Sequence, residues 1–82
     1  MYAQMDLALN NVERILSKSG YSLADVVRLN IYSCDVDATL QNYDLLVQRL
    51  QAANCQPSGV LVGVTRLAFP ELLVEIEVTA AK

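Results

Sequence analysis

The stretch that decides the fold of this chain is Leu72-Leu73-Val74-Glu75-Ile76-Glu77-Val78-Thr79. Aliphatic residues alternate in it with carboxylates, and side chains on a β-strand alternate between its two faces. The stretch therefore predicts a strand whose aliphatic side chains dock on a core, while Glu75 and Glu77 share the opposite surface. The role of this acidic pair is the functional question that the rest of the sequence must answer.

An amphipathic helix is predicted at the start of the chain. Apolar residues recur there at three- and four-residue intervals, which is the spacing of one helix face. The predicted stripe consists of Met5, Leu9, Val12 and Leu16, joined by Ala8 and Ile15. Gly20 can take the left-handed conformation that ends helices, and Ser22 to Asp25 has the pattern of a capped single turn.

A second amphipathic helix is predicted from a cap at Asp37 or Thr39 to about Ala53. Its apolar stripe is predicted to consist of Leu40, Tyr43, Leu46, Val47 and Leu50. The loop that follows contains Pro57 and Gly59, both typical of irregular structure. Tyr43 is most simply interpreted as a core aromatic.

Two strands flank this second helix. In the first, Val27, Leu29 and Ile31 alternate with Arg28, Asn30 and Tyr32, so the former set is predicted to face the helices. The second covers residues 60–65, and a strand, a helix and a strand in this order predict a right-handed parallel unit. We expect the closing strand to pair antiparallel with residues 60–65. The fold class predicted is α+β, a mixed sheet with two helices packed on one face.

Composition restricts the functions that the chain can have. Its 82 residues predict a single domain, and hydrophobic residues make up 54%, above the roughly 45–50% of ordinary globular proteins, which favours an oligomer. Six basic residues against nine acidic ones make nucleic acid an unlikely class of partner by charge. No apolar run reaches the roughly 18 residues of a membrane span. Histidine is absent, so neither a histidine-based triad nor a metal site is predicted, and no cofactor is indicated.

Cys34 follows the first strand and Cys55 precedes the second, which places them toward opposite ends of the sheet. A disulfide between them is not expected, because bridged Cα atoms lie within about 7 Å of each other. Two free thiols are typical of a reducing compartment, so a cytoplasmic location is predicted. Neither thiol has an activating neighbour in the sequence, and both are interpreted as small buried hydrophobes.

The ordered combination of elements resembles the RidA family, also called YjgF or endoribonuclease L-PSP. The resemblance covers nearly all 82 residues and rests on residues 25–29 (Asp-Val-Val-Arg-Leu), Pro57 and residues 74–78 (Val-Glu-Ile-Glu-Val) in their order. It implies a chorismate-mutase-like fold, a homotrimer and small-molecule clefts between subunits. Family members begin with a β-hairpin that this chain lacks, so the resemblance also implies truncation at the N-terminus, either natural or as a shortened copy of a longer product.

Active RidA proteins hydrolyse enamine and imine intermediates such as 2-aminoacrylate to a keto acid and ammonia. The resemblance implies that Glu75, the first glutamate of the Glu-Ile-Glu strand, positions the attacking water. The family's carboxylate-binding arginine follows a proline in a Pro-Ala-Arg-Ser-like stretch, and Pro57-Ser58-Gly59-Val60 has Gly59 at that position. Loss of a charge-assisted contact worth about 1.5–3 kcal/mol argues against ordinary deaminase activity.

Two functions therefore stay open at this stage. One is a homotrimer that binds small metabolites in inter-subunit clefts with weak or no deaminase activity. The other is an enamine or imine deaminase in which backbone amides near Gly59 replace the arginine. Arg28 is a candidate substrate-binding cation near Glu75, although a solvated or interface arginine is the simpler interpretation. Glu77 is assigned a structural role, and both acids could serve only to keep the sheet face from mispairing.

Overall fold

The computed structural model describes all 82 residues, which form three α-helices and a three-stranded sheet. The helices are α1 (Tyr2–Lys18), α2 (Val36–Gln41) and α3 (Tyr43–Ala52), and the strands are β1 (Val26–Ser33), β2 (Leu61–Gly63) and β3 (Val74–Ala80). The core lies between the helices and one face of the mixed sheet. This arrangement confirms the predicted α+β class.

Helix α1 has the stripe that its spacing predicted, since Met5, Leu9, Val12 and Leu16 are its buried residues. Ile15 was expected to join them but is 60% exposed, because a step of about 100° per residue turns it away from the sheet. Gly20 has φ +81° and ends the helix as predicted. The Tyr21 amide beyond it donates to the Leu16 carbonyl at 2.8 Å, which satisfies one of the free carbonyls of the last turn.

The predicted second helix is two helices, α2 and α3, separated at Asn42. The Asn42 side-chain amide donates to the Ala38 carbonyl at 2.8 Å, a local bond of the kind that competes with regular helix. The cap expected at Asp37 or Thr39 is instead Asp35, whose carboxylate accepts from the Ala38 amide at 3.1 Å.

Two residues of the predicted apolar stripe have different environments. Leu46 of α3 is 1% exposed and packs in the core, whereas Leu40 at the end of α2 is 54% exposed. The expectation that Leu40 belongs to the buried stripe is therefore wrong. At about 100° per residue, Leu40 and Leu46 would lie about 120° apart even on one continuous helix, so they do not share a face.

Strand β1 lies in the centre of the sheet, in the order β2-β1-β3. It runs parallel to β2, as predicted, and antiparallel to β3. The expectation that the closing strand pairs with residues 60–65 is wrong. Strand β2 is only three residues long, so pairing with it would leave most backbone groups of the seven-residue β3 without partners, whereas the eight-residue β1 satisfies them.

A bulge at Val27 changes which residues of β1 face the helices, compared with the predicted alternation. The register with β3 passes from Val26 opposite Ala80 to Arg28 opposite Thr79, so Val27 is an additional residue. Val27 is 51% exposed and does not face the helices, and Val26 is buried in its place. Beyond the bulge, Leu29 and Ile31 face the core as predicted.

Both cysteines are free, as the sequence analysis predicted. Cys55 is buried, its thiol lies 3.5 Å from the Val26 carbonyl, and burial raises its pKa. Cys34 is half-buried next to the chain segment before β3. Neither thiol therefore has the surroundings of an activated nucleophile.

Candidate functional site

The candidate site lies on the outer face of the sheet, which we define as the face opposite the helices. Six side chains share it through the antiparallel pairing of β1 with β3. They are Arg28, Asn30 and Tyr32 on β1, and Glu75, Glu77 and Thr79 on β3. The acidic pair therefore projects away from the core, as its alternation with aliphatic residues predicted.

The register determines which of these residues are neighbours. Tyr32 is opposite Glu75, Asn30 is opposite Glu77, and Arg28 is opposite Thr79. Arg28 and Glu75 are thus separated by four residues along the strands, or roughly 14 Å between Cα atoms at about 3.4 Å per residue. The outer face carries both groups but does not bring them together, and neither belongs to an ion pair within the chain.

Glu77 is held by two neighbouring side chains. Its Oε1 accepts from the Asn30 side-chain amide at 3.0 Å and from the Tyr32 hydroxyl at 2.9 Å. Hydrogen bonds from Asn30 and then Tyr32 lower the pKa of Glu77, and the bond to Glu77 is the main cause of a raised pKa for Tyr32. Glu77 is therefore ionised, and its carboxylate holds the side chains of these two β1 residues in place.

Asn30 extends this network across the sheet. While its amide nitrogen donates to Glu77, its Oδ1 accepts from the backbone amide of Val60 at 3.2 Å. A side chain thus substitutes for a regular backbone bond at the start of β2. The network connects the strand that carries the glutamates to the loop that contains Gly59.

Glu75 has a different environment from Glu77. It is exposed, and its carboxylate makes no hydrogen bond or ion pair within the chain. The Tyr32 hydroxyl, which belongs to the residue opposite, donates to Glu77 instead. The Glu75 carboxylate is consequently free to accept hydrogen bonds from water or from a bound molecule.

Gly59 lies where the segment before β2 closely approaches β1. The adjoining Ser58 forms an isolated parallel bridge with Arg28, and the Leu29 amide donates to the Ser58 carbonyl at 2.8 Å. A Cβ atom built on Gly59 would overlap the carbonyl oxygen of Leu29 and lie 2.7 Å from the carbonyl carbon. No side chain fits at this position while the strands stay paired. The contact explains the glycine physically: it permits the close approach of two backbones.

Gly59 and Glu75 lie on opposite sides of β1. Gly59 is level with Leu29 and Glu75 is level with Tyr32, which places them roughly 14 Å apart given strands about 4.8 Å apart and about 3.3 Å per residue. A molecule the size of a small metabolite does not bridge that distance. One copy of the chain therefore holds Arg28, Gly59 and Glu75 as three separate features.

Asn30 and Tyr32 are two residues of this surface whose role the sequence pattern does not indicate. Their alternation with Leu29 and Ile31 put them on the correct face, but only the register shows that both reach Glu77.

No three His, Cys, Asp or Glu side chains come together in a metal-binding arrangement. No helix has the length and apolar character that crossing a membrane requires.

The sequence model of the family described as endoribonuclease L-PSP matches residues 1–82, the whole chain. The chain belongs to this family. The RidA/YjgF resemblance is thereby confirmed. The chain is 32% identical over 74 residues to RutC family protein PH0854 of Pyrococcus horikoshii. The match covers 90% of the chain and 56% of PH0854.

Solved structures of relatives share its fold. One is Rv2704 from Mycobacterium tuberculosis, a member of the YjgF/YER057c/UK114 family. It matches with a TM-score of 0.80 at 38% identity, and the match covers 89% of this chain and 60% of Rv2704. TdcF of E. coli, crystallised with bound serine, matches with a TM-score of 0.83 at 25% identity, covering 93% and 60%. The chain thus spans little more than half the length of these relatives.

Proposed function

We propose that this chain forms a RidA-like homotrimer that binds small metabolites in clefts between subunits and has weak or no deaminase activity. The observation that carries the proposal is the contact at Gly59, where any Cβ would overlap the Leu29 carbonyl. The position that the family uses for a carboxylate-binding arginine has no space for a side chain here. Without that cation, a substrate carboxylate loses both its charge-assisted hydrogen bonds and its orientation.

The separation of the candidate residues supports a cleft between copies. Glu75 and Gly59 lie too far apart in one chain to hold one small molecule, so a site containing both needs a second subunit. The outer face of the sheet also exposes apolar groups beside β1, with Val60 57% and Val62 37% exposed. Exposed apolar side chains on a sheet face favour burial against another chain.

The ligand class follows from Glu75 and from the relative with a ligand. TdcF holds serine in its crystal structure, and an amino acid of that size has an ammonium group and a hydroxyl that donate hydrogen bonds. Glu75, exposed and without a partner in its own chain, is a suitable acceptor for such donors. We therefore expect the ligand to be a small polar metabolite with a donor group directed at Glu75.

The free carboxylate of Glu75 also favours a second candidate function. A glutamate at the family position, unpaired in its own chain, can position a water for attack on an enamine or imine. In this alternative the chain is a 2-aminoacrylate-type deaminase that orients its substrate without the arginine. Both functions use Glu75, and they differ in whether ammonia is released.

Three measurements on the purified chain test the proposal. Light scattering at micromolar concentration should give the mass of a trimer, and L-serine should raise the thermal unfolding temperature in a saturable manner, since ligand at about 100 times its Kd adds about 2.7 kcal/mol. Ammonia release from enzymatically generated 2-aminoacrylate should be no faster than in buffer.

Glu75→Gln should abolish the stabilisation by L-serine, and Glu71→Gln is the matched control, since Glu71 is exposed and lies in the loop before β3. A monomer, or equal stabilisation of Glu75→Gln and wild type, would contradict the proposal. If the wild type accelerates ammonia release and Glu75→Gln does not, the metabolite-binding proposal is wrong and the chain is a deaminase.

A further inference from the structure

A cavity of about 130 Å³ lies between α3 and the side of the sheet where β2 forms the edge. Its base is formed by Leu29 and Ile31 of β1, which are 6% and 2% exposed. The half-buried Leu50 of α3 and Leu61 of β2 form its walls. Pro57, Gly59 and Val60 of the segment before β2 also line it, and the pocket is partly open to solvent.

The local sequence explains why this space is not filled. Gly59 contributes no side chain, and the adjoining Val60 is 57% exposed, so its side chain does not fill the core. The Val60 amide bonds to the Asn30 side chain instead of the Leu29 carbonyl, which holds the segment in place. The cavity therefore results from a glycine contact and from a side-chain hydrogen bond, both of them fixed features of β1 and its neighbour.

The chemical character of the lining restricts what can enter. None of the lining side chains is charged, and only Tyr43 carries a polar side-chain atom. A charged ligand would therefore find no oppositely charged side chain in the lining. The volume is close to that of an enclosed protein cavity of about 150 Å³ that binds benzene, whereas this pocket is open to solvent.

We propose that this cavity is a binding site for a small uncharged apolar molecule, or an apolar group of a larger one, of about the size of a benzene ring. The site is formed within one chain and does not require the inter-subunit cleft. Glu75 lies beyond β1 from it and takes no part. Failure of the trimer proposal would therefore leave this inference unaffected.

Toluene and benzoate form a matched pair of probes, since they share the ring and differ mainly in charge. The purified chain, with its methyl groups labelled for NMR, is titrated with each. Toluene should shift the methyl signals of Leu29, Ile31, Leu50 and Leu61 in a saturable manner, whereas benzoate should leave them unchanged. Glu75→Gln should bind toluene as the wild type does.

Leu61→Phe fills the cavity from its wall and should abolish the saturable response. Val62→Phe is the matched control, because Val62 is the next residue of β2 and its side chain is on the outer face. Should Leu61→Phe fail to fold, Leu50→Phe fills the same space from α3. The proposal is overturned by shifts that do not saturate, by equal binding of benzoate, or by binding that survives in a folded cavity-filling variant.

Discussion

Replacing Gly59 with alanine should destabilise the chain, although it adds a single methyl group. The new Cβ would overlap the Leu29 carbonyl oxygen, and the nearest atoms are backbone, which cannot move aside as a flexible side chain can. Relief of the overlap requires the segment before β2 to separate from β1. The loss in free energy of unfolding is therefore set by the hydrogen bonds that join this segment to β1.

Three backbone hydrogen bonds flank the contact. They are Ser58 N–H to Val27 O at 3.1 Å, Leu29 N–H to Ser58 O at 2.8 Å, and Ile31 N–H to Val60 O at 2.9 Å. Each contributes about 0.5–1.5 kcal/mol net, so loss of two or three costs about 1–4.5 kcal/mol. A domain of this length has about 4–12 kcal/mol in total. The substitution should thus lower the urea midpoint substantially at a fixed protein concentration.

Gly59→Arg should show the same loss, because its Cβ meets the same carbonyl, and it should not gain ammonia release from 2-aminoacrylate. Gln56→Arg is the matched control: it puts a guanidinium three residues earlier in the same loop, at an exposed position, and should cost little. Circular dichroism during urea unfolding compares the three variants with the wild type. A Gly59→Arg protein as stable as Gln56→Arg, or one that gains deaminase activity, would refute the reasoning.

Three further predictions concern the stability of the fold. Glu77→Gln should be less stable than wild type at pH 7, and the difference in urea midpoint should narrow as the pH falls. Hydrogen bonds from its β1 neighbours hold the pKa of Glu77 below the unfolded value of about 4.3, so its stabilisation is lost as the pH falls through the folded pKa. Arg49→Met should remove the ion pairs that join α3 to two carboxylates of α1, at a cost of about 1 kcal/mol that shrinks in about 1 M salt; an unchanged cost in salt would argue against an ionic origin. Leu9→Ala should cost about 2–5 kcal/mol because Leu9 is fully buried, whereas Leu7→Ala, at a position 60% exposed on the same helix, should stay within about 0.5 kcal/mol in the same denaturation assay.

Local periodicity predicted the features of this fold that depend on neighbours in sequence. The stripe of α1, its end at Gly20 and the two faces of β3 follow from repeats of three to four and of two residues. Such repeats depend only on backbone geometry, so they can be read from a single sequence. The α+β class followed from them because amphipathic helices and a sheet with one apolar face must pack together.

Features that depend on distant parts of the chain were not accessible in this way. Adjacency in sequence suggested that β3 pairs with β2, but the short β2 could not satisfy the backbone groups of β3. The bulge at Val27 changes which residues face the core without altering the composition of the strand. The same limit applies to the site, where Gly59 was identified as a departure from a family motif, yet its contact with Leu29 requires the folded chain.

The two glutamates of the closing strand show why register matters for function. They are chemically identical and share a face, so alternation alone cannot assign them different roles. The difference arises on β1, where the hydroxyl of Tyr32, the residue opposite Glu75, donates to Glu77 together with Asn30. Through those bonds Glu77 stabilises its own sheet, and Glu75 is left without a partner. A carboxylate that contributes no bond to its own fold can be used for a ligand at little cost in stability, and for that reason the proposed site is built on Glu75.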